Sequence, residues 1–192
     1  MKTLIVSDIH IGRNDSECEK CLDVIKNNPT DEIILNGDIF DQFAIWKDKG
    51  KLYKERHLRF VKEFMKIKKE RKTKVYYLIG NHDYLAFLLI PFGFLFGIKF
   101  RKRVRKEDII IEHGDWITLY LKIKRLFNKK IEISDDTHEN YYTFSKIKNK
   151  KFIVGHTHEP RIISNKVYDE GDWVGSNTYL IMEDRDIKII VP

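Results

Sequence analysis

Five short apolar runs in this chain each stop at a histidine, an aspartate or an asparagine. They read LIVSDIH, IILNGDIFD, YYLIGNHD, IIIEHGD and FIVGHTH, in that order along the sequence. Short apolar runs bounded by turn residues are typical of buried strands, and helical patterns separate the first three. This alternation predicts an α/β fold. The predicted strands cover residues 2–7, 32–36, 74–79, 108–112 and 151–154.

The polar ends of these strands are expected to meet in one site, because ligands of α/β sheets bind beyond the carboxyl ends of the strands. Five of the seven histidines fall at these ends, and only His57 and His138 lie elsewhere. A single Asn-Gly-Asp or His-Gly-Asp is also a common turn signal and would carry little weight alone. Five such ends together indicate a functional site.

The donors at these strand ends are oxygen and imidazole nitrogen atoms, without a thiolate. This set suits Mn²⁺ best, with Fe, Zn²⁺, Ni²⁺ and Co²⁺ as alternatives. Seven donors exceed the three or four that one catalytic zinc ion uses, so the sequence predicts two divalent ions with the Asp38 carboxylate between them. Glycines at 37, 80, 114 and 155 would permit close backbone approach. The predicted metal ligands are Asp8, His10, Asp38, Asn81, His113, His156 and His158.

The motifs DIH, GDIFD, GNHD, HGD and GHTH, from Asp8 to His158, resemble the complete motif series of the calcineurin-like metallophosphoesterases. The resemblance implies a four-layer α-β-β-α sandwich of two mixed β-sheets flanked by helices, with a binuclear metal site. It further implies that one ion is held by Asp8, His10 and His158, the other by Asn81, His113 and His156, and both by Asp38.

The residue His82 matches the catalytic histidine of that family, and Asp83 beside it would orient the ring. Two cations would hold a phosphoryl oxygen and lower the pKa of a water that attacks phosphorus. His82 would protonate the leaving alkoxide or stabilise charge on the phosphoryl group. Asp41 and Asp115 are expected to accept hydrogen bonds from ligand histidines.

The predicted function is hydrolysis of a phosphodiester, a phosphomonoester or a nucleotide pyrophosphate. A metal-dependent nuclease is an alternative, because KFRKRVRK carries six positive charges in eight residues, although Phe100 is its only stacking platform. A non-catalytic scaffold of the same fold is disfavoured by the complete ligand set. The net charge of +7 fits either anionic partners, nucleic acid among them, or a solvated basic surface.

A later stretch, YDEGDWVG, resembles the G-x-W ending of the UDP-2,3-diacylglucosamine pyrophosphatase subgroup. That subgroup commonly has Arg where this chain has His82, and often Glu where it has Asp41. The alternative interpretation of Gly171, Asp172 and Trp173 is a turn followed by a buried tryptophan.

The length of 192 residues predicts a single domain over 1–192, with an apolar and basic insertion at about 84–106. The insertion starts with fifteen uncharged residues, too few to span a bilayer. It is interpreted either as core or homo-oligomer interface, or as a flap that meets an amphipathic substrate or a membrane surface. The start MKTLIVSDIH is too short for a signal sequence, so the expected location is the cytoplasm.

The two cysteines, Cys18 and Cys21, form a C-x-x-C on a predicted helix, without a second cysteine pair. We interpret them as reduced structural residues of a reducing compartment.

Overall fold

The computed structural model describes residues 1–47, 55–83, 93, 96–127 and 133–192. Helices in these ranges are α1 (Cys18–Asn27), α2 (Gln42–Lys47), α3 (Glu55–Arg71), α4 (Ile117–Phe127) and α5 (Thr137–Lys148). Strands are β1 (Lys2–Val6), β2 (Glu32–Asn36), β3 (Lys74–Leu78), β4 (Ile98–Arg101), β5 (Arg103–Lys106), β6 (Ile109–Glu112), β7 (Lys151–Val154), β8 (Arg161–Ile163), β9 (Val167–Asp169), β10 (Tyr179–Glu183) and β11 (Asp186–Ile190). The five predicted strands are confirmed to within one residue at each end.

The strands form two mixed sheets. The first sheet has the order β11-β10-β1-β2-β3-β4. Strands β1 to β4 run parallel, β10 runs antiparallel to β1, and β11 runs antiparallel to β10. The second has the order β5-β6-β7-β9-β8, with β6, β7 and β9 parallel between antiparallel edge strands. The predicted α/β sandwich of two mixed sheets flanked by helices is confirmed.

Three apolar clusters hold the layers together. The sequence of strand β1 is almost continuously apolar because both of its faces are buried. Leu4 and Val6 pack toward α1 and α3, whereas Ile5 packs between the sheets. The second sheet packs its outer face against α4 and α5 through Leu121, Phe144 and Phe152, among others. Helix α3 buries an apolar stripe that includes Phe60, Phe64 and Ile67, whereas Leu58 is 56% exposed.

The paired cysteines lie on the buried face of α1. Cys18 and Cys21 are free thiols with no exposed surface. Burial raises the pKa of both thiols, which disfavours the thiolate needed for redox chemistry or metal binding. No helix within the described ranges is both long and apolar enough to cross a membrane.

The predicted insertion at 84–106 is only partly covered, since residues 84–92, 94 and 95 lie outside the described residues. The interpretations of that apolar stretch as core, interface or flap therefore stay predictions. The basic end of the insertion forms β4 in the first sheet and β5 in the second. Phe100 stacks on Tyr77 with ring centroids 5.0 Å apart, and Lys106 forms an ion pair with the buried Glu32. The basic run thus connects an edge of one sheet to an edge of the other.

Candidate metal centre

All seven predicted ligands lie on loops that leave the carboxyl ends of parallel strands. The first sheet contributes those after β1, β2 and β3, and the second sheet contributes those after β6 and β7. Three sets of donor atoms converge, with the atoms of each set within 4.8 Å of one another. The first comes from Asp8, His10 and His158, the second from Asp38, His113 and His156, and the third from His10, Asp41 and His82. The first two consist of predicted ligands alone.

The first donor set contains buried atoms that protein groups do not satisfy. Oδ1 of Asp8 lies 3.4 Å from Nε2 of His158 and 3.7 Å from Nε2 of His10. Neither Asp8 Oδ1 nor His10 Nε2 has a hydrogen-bond partner among the described residues. Buried polar atoms without a partner are rare because they carry a desolvation penalty. A divalent cation bound by all three side chains would satisfy them, so these residues fit a metal ion.

The second donor set is organised around His113. Its Nε2 lies 3.1 Å from Asp38 Oδ2 and 3.3 Å from Asn81 Oδ1, which brings Asn81 to this set. Its Nδ1 lies 2.9 Å from the backbone oxygen of Asn36, which can only accept. Nδ1 therefore carries a proton in either charge state of the ring, and Nε2 is the nitrogen that could bind a metal ion. The acceptor for the His113 ring is thus this carbonyl rather than Asp115, whose side chain is exposed.

The ligand loops hold an unusual backbone conformation. Asp8, His10, Asp38, His156 and His158 all have φ between 49° and 75°. Non-glycine residues rarely adopt this left-handed region, and each costs on the order of 1–3 kcal/mol. Five of the seven predicted ligands are therefore held in strained turns, which is typical of functional sites.

Two glycines leave room for the ligand carboxylates. A Cβ added to Gly80 would lie 2.2 Å from Asp38 Oδ1, and one added to Gly155 would lie 2.7 Å from Asp8 Oδ2. Real Cβ atoms do not approach so closely, so each carboxylate can occupy its position only because the opposing residue has no side chain. This close approach was expected from the sequence.

The electrostatic field of the site favours cations. Burial by itself would lower the pKa of His113, but the carboxylates of Asp8 and Asp38 raise it to about 10. Burial likewise opposes protonation of His10, and Asp41 and Asp8 raise its pKa to about 9. In the metal-free protein both rings therefore carry protons at neutral pH. These protons partly neutralise the carboxylates, as bound metal ions would.

The residue His82 lies at the opening of the site. Its side chain is 36% exposed, and its ring centroid is 4.9 Å from that of the buried His10. Asp41 contacts both rings, with Oδ2 3.4 Å from Nδ1 of His10 and 3.4 Å from Nδ1 of His82. Burial would raise the pKa of Asp41, but His10 and the N–H of Ala44 lower it to about 2. These are ion-pair distances without a hydrogen bond to either ring, so the predicted acceptor role of Asp41 stays a prediction.

The structure places Asp83 away from the role expected of it. Its carboxylate is fully buried, and its contacts support the loops rather than the ring of His82. The carboxylate beside His82 is that of Asp41, because the consecutive side chains of His82 and Asp83 diverge, one toward the opening and one into the protein. Asp83 accepts hydrogen bonds from the N–H groups of Asp38 (2.8 Å), Phe40 (3.0 Å) and Gly80 (3.1 Å) and from the hydroxyl of Tyr77 (2.7 Å).

A sixth strand end, after β9, also reaches the site and was missed by the sequence argument. Asp172 Oδ2 lies 2.7 Å from Nδ1 of His158, which orients the His158 ring. Burial would raise the pKa of Asp172, but His158 and Ser176 lower it to about 2. Trp173 is fully buried, as the alternative interpretation of this stretch expected. The available signal was an acid a few residues beyond a strand, the pattern that identified Asp8.

Comparisons with known proteins agree with this geometry. A family model described as calcineurin-like phosphoesterase matches residues 1–191. A search of curated proteins finds no match. Among solved structures, an archaeal phosphodiesterase is 19% identical with a TM-score of 0.57, covering 100% of both chains.

Two further solved structures share the fold. The protein TT1561 of Thermus thermophilus is 14% identical with a TM-score of 0.52, covering 99% of this chain and 98% of that one. A dimetal phosphatase from Danio rerio is 9% identical with a TM-score of 0.51, covering 98% of this chain and 95% of that one. At these identities the likeness shows a common fold.

Proposed function

The chain belongs to the calcineurin-like phosphoesterase family, and we propose that within it this protein is a two-metal hydrolase of phosphodiesters, phosphomonoesters or nucleotide pyrophosphates. Membership makes it a metal-dependent enzyme that acts on phosphoester bonds. The observation that carries the proposal is the pair of converging donor sets, one of which contains buried atoms without a partner in the described chain.

The proposed metal ligands divide between the two sets. When bound, divalent ions at such sites withdraw charge from a phosphoryl oxygen and lower the pKa of a water. Mn²⁺ is our first choice for both ions, since the donors are carboxylate, amide and imidazole groups, and Fe, Zn²⁺, Ni²⁺ and Co²⁺ are alternatives. Asp8, His10 and His158 would hold one ion, Asn81, His113 and His156 the other, and Asp38 both.

The proposed proton donor is His82. Its half-buried ring lies at the opening of the site, where a leaving group would depart, and Asp41 lies 3.4 Å from its Nδ1. A carboxylate at that distance would orient the ring, so that the opposite nitrogen faces the leaving oxygen as a donor. Asp83 supports this chemistry indirectly, because it fixes the N–H groups of Asp38 and Gly80.

The two-metal assignment is tested by replacing Asp38 with Asn. The variant should lose most turnover, because the proposed bridging carboxylate contributes to both ions. Metal content and hydrolysis of a nitrophenyl phosphodiester with Mn²⁺ give the measurement, with Asp115→Asn as the control at an exposed acid. One tightly bound ion per chain at full wild-type activity would refute the assignment.

The role of His82 is tested by replacing it with Ala. A general acid matters most for poor leaving groups, so turnover of alkyl esters should fall more than turnover of aryl esters. Equal losses on both substrates would indicate phosphoryl binding instead. Unchanged turnover of both would make His82 a structural residue.

We further propose that the substrate is amphipathic, because the protein has an apolar cavity that could hold its apolar part. The cavity has a volume of about 190 Å³, and its lining includes Ile39, Phe40, Phe64, Phe96 and Phe100. Ile39 and Phe40 directly follow the proposed ligand Asp38 in the chain, so one loop contributes to both the cavity and the metal centre. Faster turnover of lipid-linked than of soluble phosphodiesters would support this proposal, and equal turnover would contradict it.

The nuclease alternative gains no support from the basic run. Phe100 stacks on Tyr77 and lines the apolar cavity, so its ring is not a free platform for a base. Arg103 and Lys106 are paired with Glu112 and Glu32. Single-stranded DNA in the substrate panel tests this alternative directly.

A further inference from the structure

The turn between the predicted ligands His156 and His158 is strained at both of them. Their φ angles are 75° and 63°, and Thr157 lies between them. Left-handed non-glycine residues persist only where surrounding contacts enforce them, at a cost on the order of 1–3 kcal/mol each. Some contact must therefore hold this turn in place.

Asp8 contacts the N–H of His156 and Asp172 contacts the ring of His158, and the hydroxyl of Thr157 holds the residue between them. Its Oγ1 donates a hydrogen bond of 2.7 Å to Oδ2 of Asp169 and accepts one of 3.2 Å from the N–H of Glu159. It also lies 3.1 Å from Nε2 of His138. Asp169 is fully buried at the end of β9, so the turn is tied to the neighbouring strand of the second sheet.

The pair of Asp169 and His138 is itself firmly held. Nε2 of His138 lies 3.1 Å from Asp169 Oδ2, and its Nδ1 lies 3.3 Å from Asp136 Oδ1. Asp136 caps α5 by accepting from the N–H of His138 at 2.7 Å, and it pairs with Arg161 at 2.8 Å. The hydroxyl of Thr157 therefore anchors to a site fixed between α5 and β9.

We propose that Thr157, anchored on the His138 and Asp169 pair, is a positioning residue that holds His156 and His158 in place and thereby sets the affinity of both metal sites. The inference depends on the proposed function only in taking these two histidines as metal ligands. Each ligand is one residue from Thr157, so loss of the hydroxyl contact would let the strained turn relax and move both rings. Partners that orient metal ligands typically change metal affinity by about 10–100-fold when removed.

A matched pair of substitutions tests this. Thr157→Val keeps the shape of the side chain but removes the hydroxyl, whereas Thr157→Ser keeps the hydroxyl. Chelator competition with Mn²⁺ on metal-stripped protein should show affinity about 10–100-fold weaker at both sites in Thr157→Val and nearly unchanged in Thr157→Ser. At saturating Mn²⁺ the kcat of Thr157→Val should recover, because the proposed role of the hydroxyl is to position the metal ligands.

A second pair covers the case in which Thr157→Val does not fold. His138→Gln retains an N–H that can reach Asp169, whereas His138→Ala does not, so only His138→Ala should weaken Mn²⁺ binding. Wild-type metal affinity in Thr157→Val or in His138→Ala overturns the inference, even when urea unfolding shows lower stability. Equal weakening in Thr157→Val and Thr157→Ser also overturns it. A wild-type protein that binds no Mn²⁺ would instead refute the proposed function.

Discussion

Metal binding should release protons from this protein, and the structure sets how many. The metal-free site raises the pKa of His10 to about 9 and that of His113 to about 10, so both rings are protonated near pH 7.5. Each ring must lose its proton before a nitrogen can bind a metal ion. Burial and the charge of His113 lower the pKa of His156, so His156 contributes little to the release.

The expected magnitude is one proton from His10 and one from His113, to which His158 adds because its contact with Asp172 raises its pKa. Saturation with Mn²⁺ at pH 7.5 should therefore release at least about two protons per chain, one or more for each ion. The apparent affinity for each ion should rise about tenfold per pH unit while its histidine is protonated. The rise should level off near pH 9 for the His10 site and near pH 10 for the His113 site.

The sign for stability follows from the same shifts. A histidine whose pKa is raised by folding stabilises the folded state fully below its ordinary pKa, and this stabilisation is lost as pH rises through the raised value. The metal-free protein should therefore lose stability to urea as pH rises from about 6.5 through 9 and 10. Bound metal ions should remove most of this dependence.

Titration calorimetry in buffers of different ionisation enthalpy measures the released protons directly. Asp41→Asn serves as a control, because it removes one of the carboxylates that raise the pKa of His10 and should reduce the release at that site only. Release of fewer than about half a proton per ion at pH 7.5 would refute the reasoning. Such a result would mean either that His10 and His113 are neutral in the metal-free protein or that they do not bind the metal ions.

Three further substitutions test other parts of the structure. Asp83→Asn should reduce the free energy of unfolding by about 1–3 kcal/mol in urea, because an amide cannot accept all four hydrogen bonds, and unchanged stability would contradict the positioning role. Gly80→Ala should weaken Mn²⁺ binding because its Cβ would lie 2.2 Å from an Asp38 oxygen, whereas Gly175→Ala, with its nearest contact at 3.8 Å, should bind normally. Lys106→Met should cost about 3–5 kcal/mol by leaving the Glu32 carboxylate buried and unpaired, and adding Glu32→Gln should recover part of the loss.

The positions of the proposed metal ligands followed from the sequence because they depend on local rules. An apolar run predicts a buried strand, and a polar residue just after it predicts a side chain at the edge of the sheet. Asp8, Asp38 and His113 obey this pattern, and the structure brings them together with the other predicted ligands. The parallel strands of both sheets end on the same side of the sandwich, so the loops that follow them share one site.

The supporting contacts did not follow from the sequence, because they depend on which way each side chain turns. The adjacency of His82 and Asp83 suggested an interacting pair, yet Asp83 turns inward to bind loop N–H groups. Asp172 lies fourteen residues from His158 but contacts its ring, because β9 runs beside β7 in the second sheet. That pairing is a long-range contact which no local pattern specifies.

The same contacts make the metal centre part of the junction between the sheets. Asp8 belongs to the first sheet, and its Oδ2 accepts a hydrogen bond of 3.0 Å from the N–H of His156 in the second. His113 of the second sheet likewise contacts the backbone oxygen of Asn36 in the first at 2.9 Å. Each proposed ion would take ligands from both sheets, so its binding free energy would also hold the sheets together. The strain in the ligand turns is then offset by the packing of the sandwich and by the ions, because neither sheet alone supplies a complete ligand set.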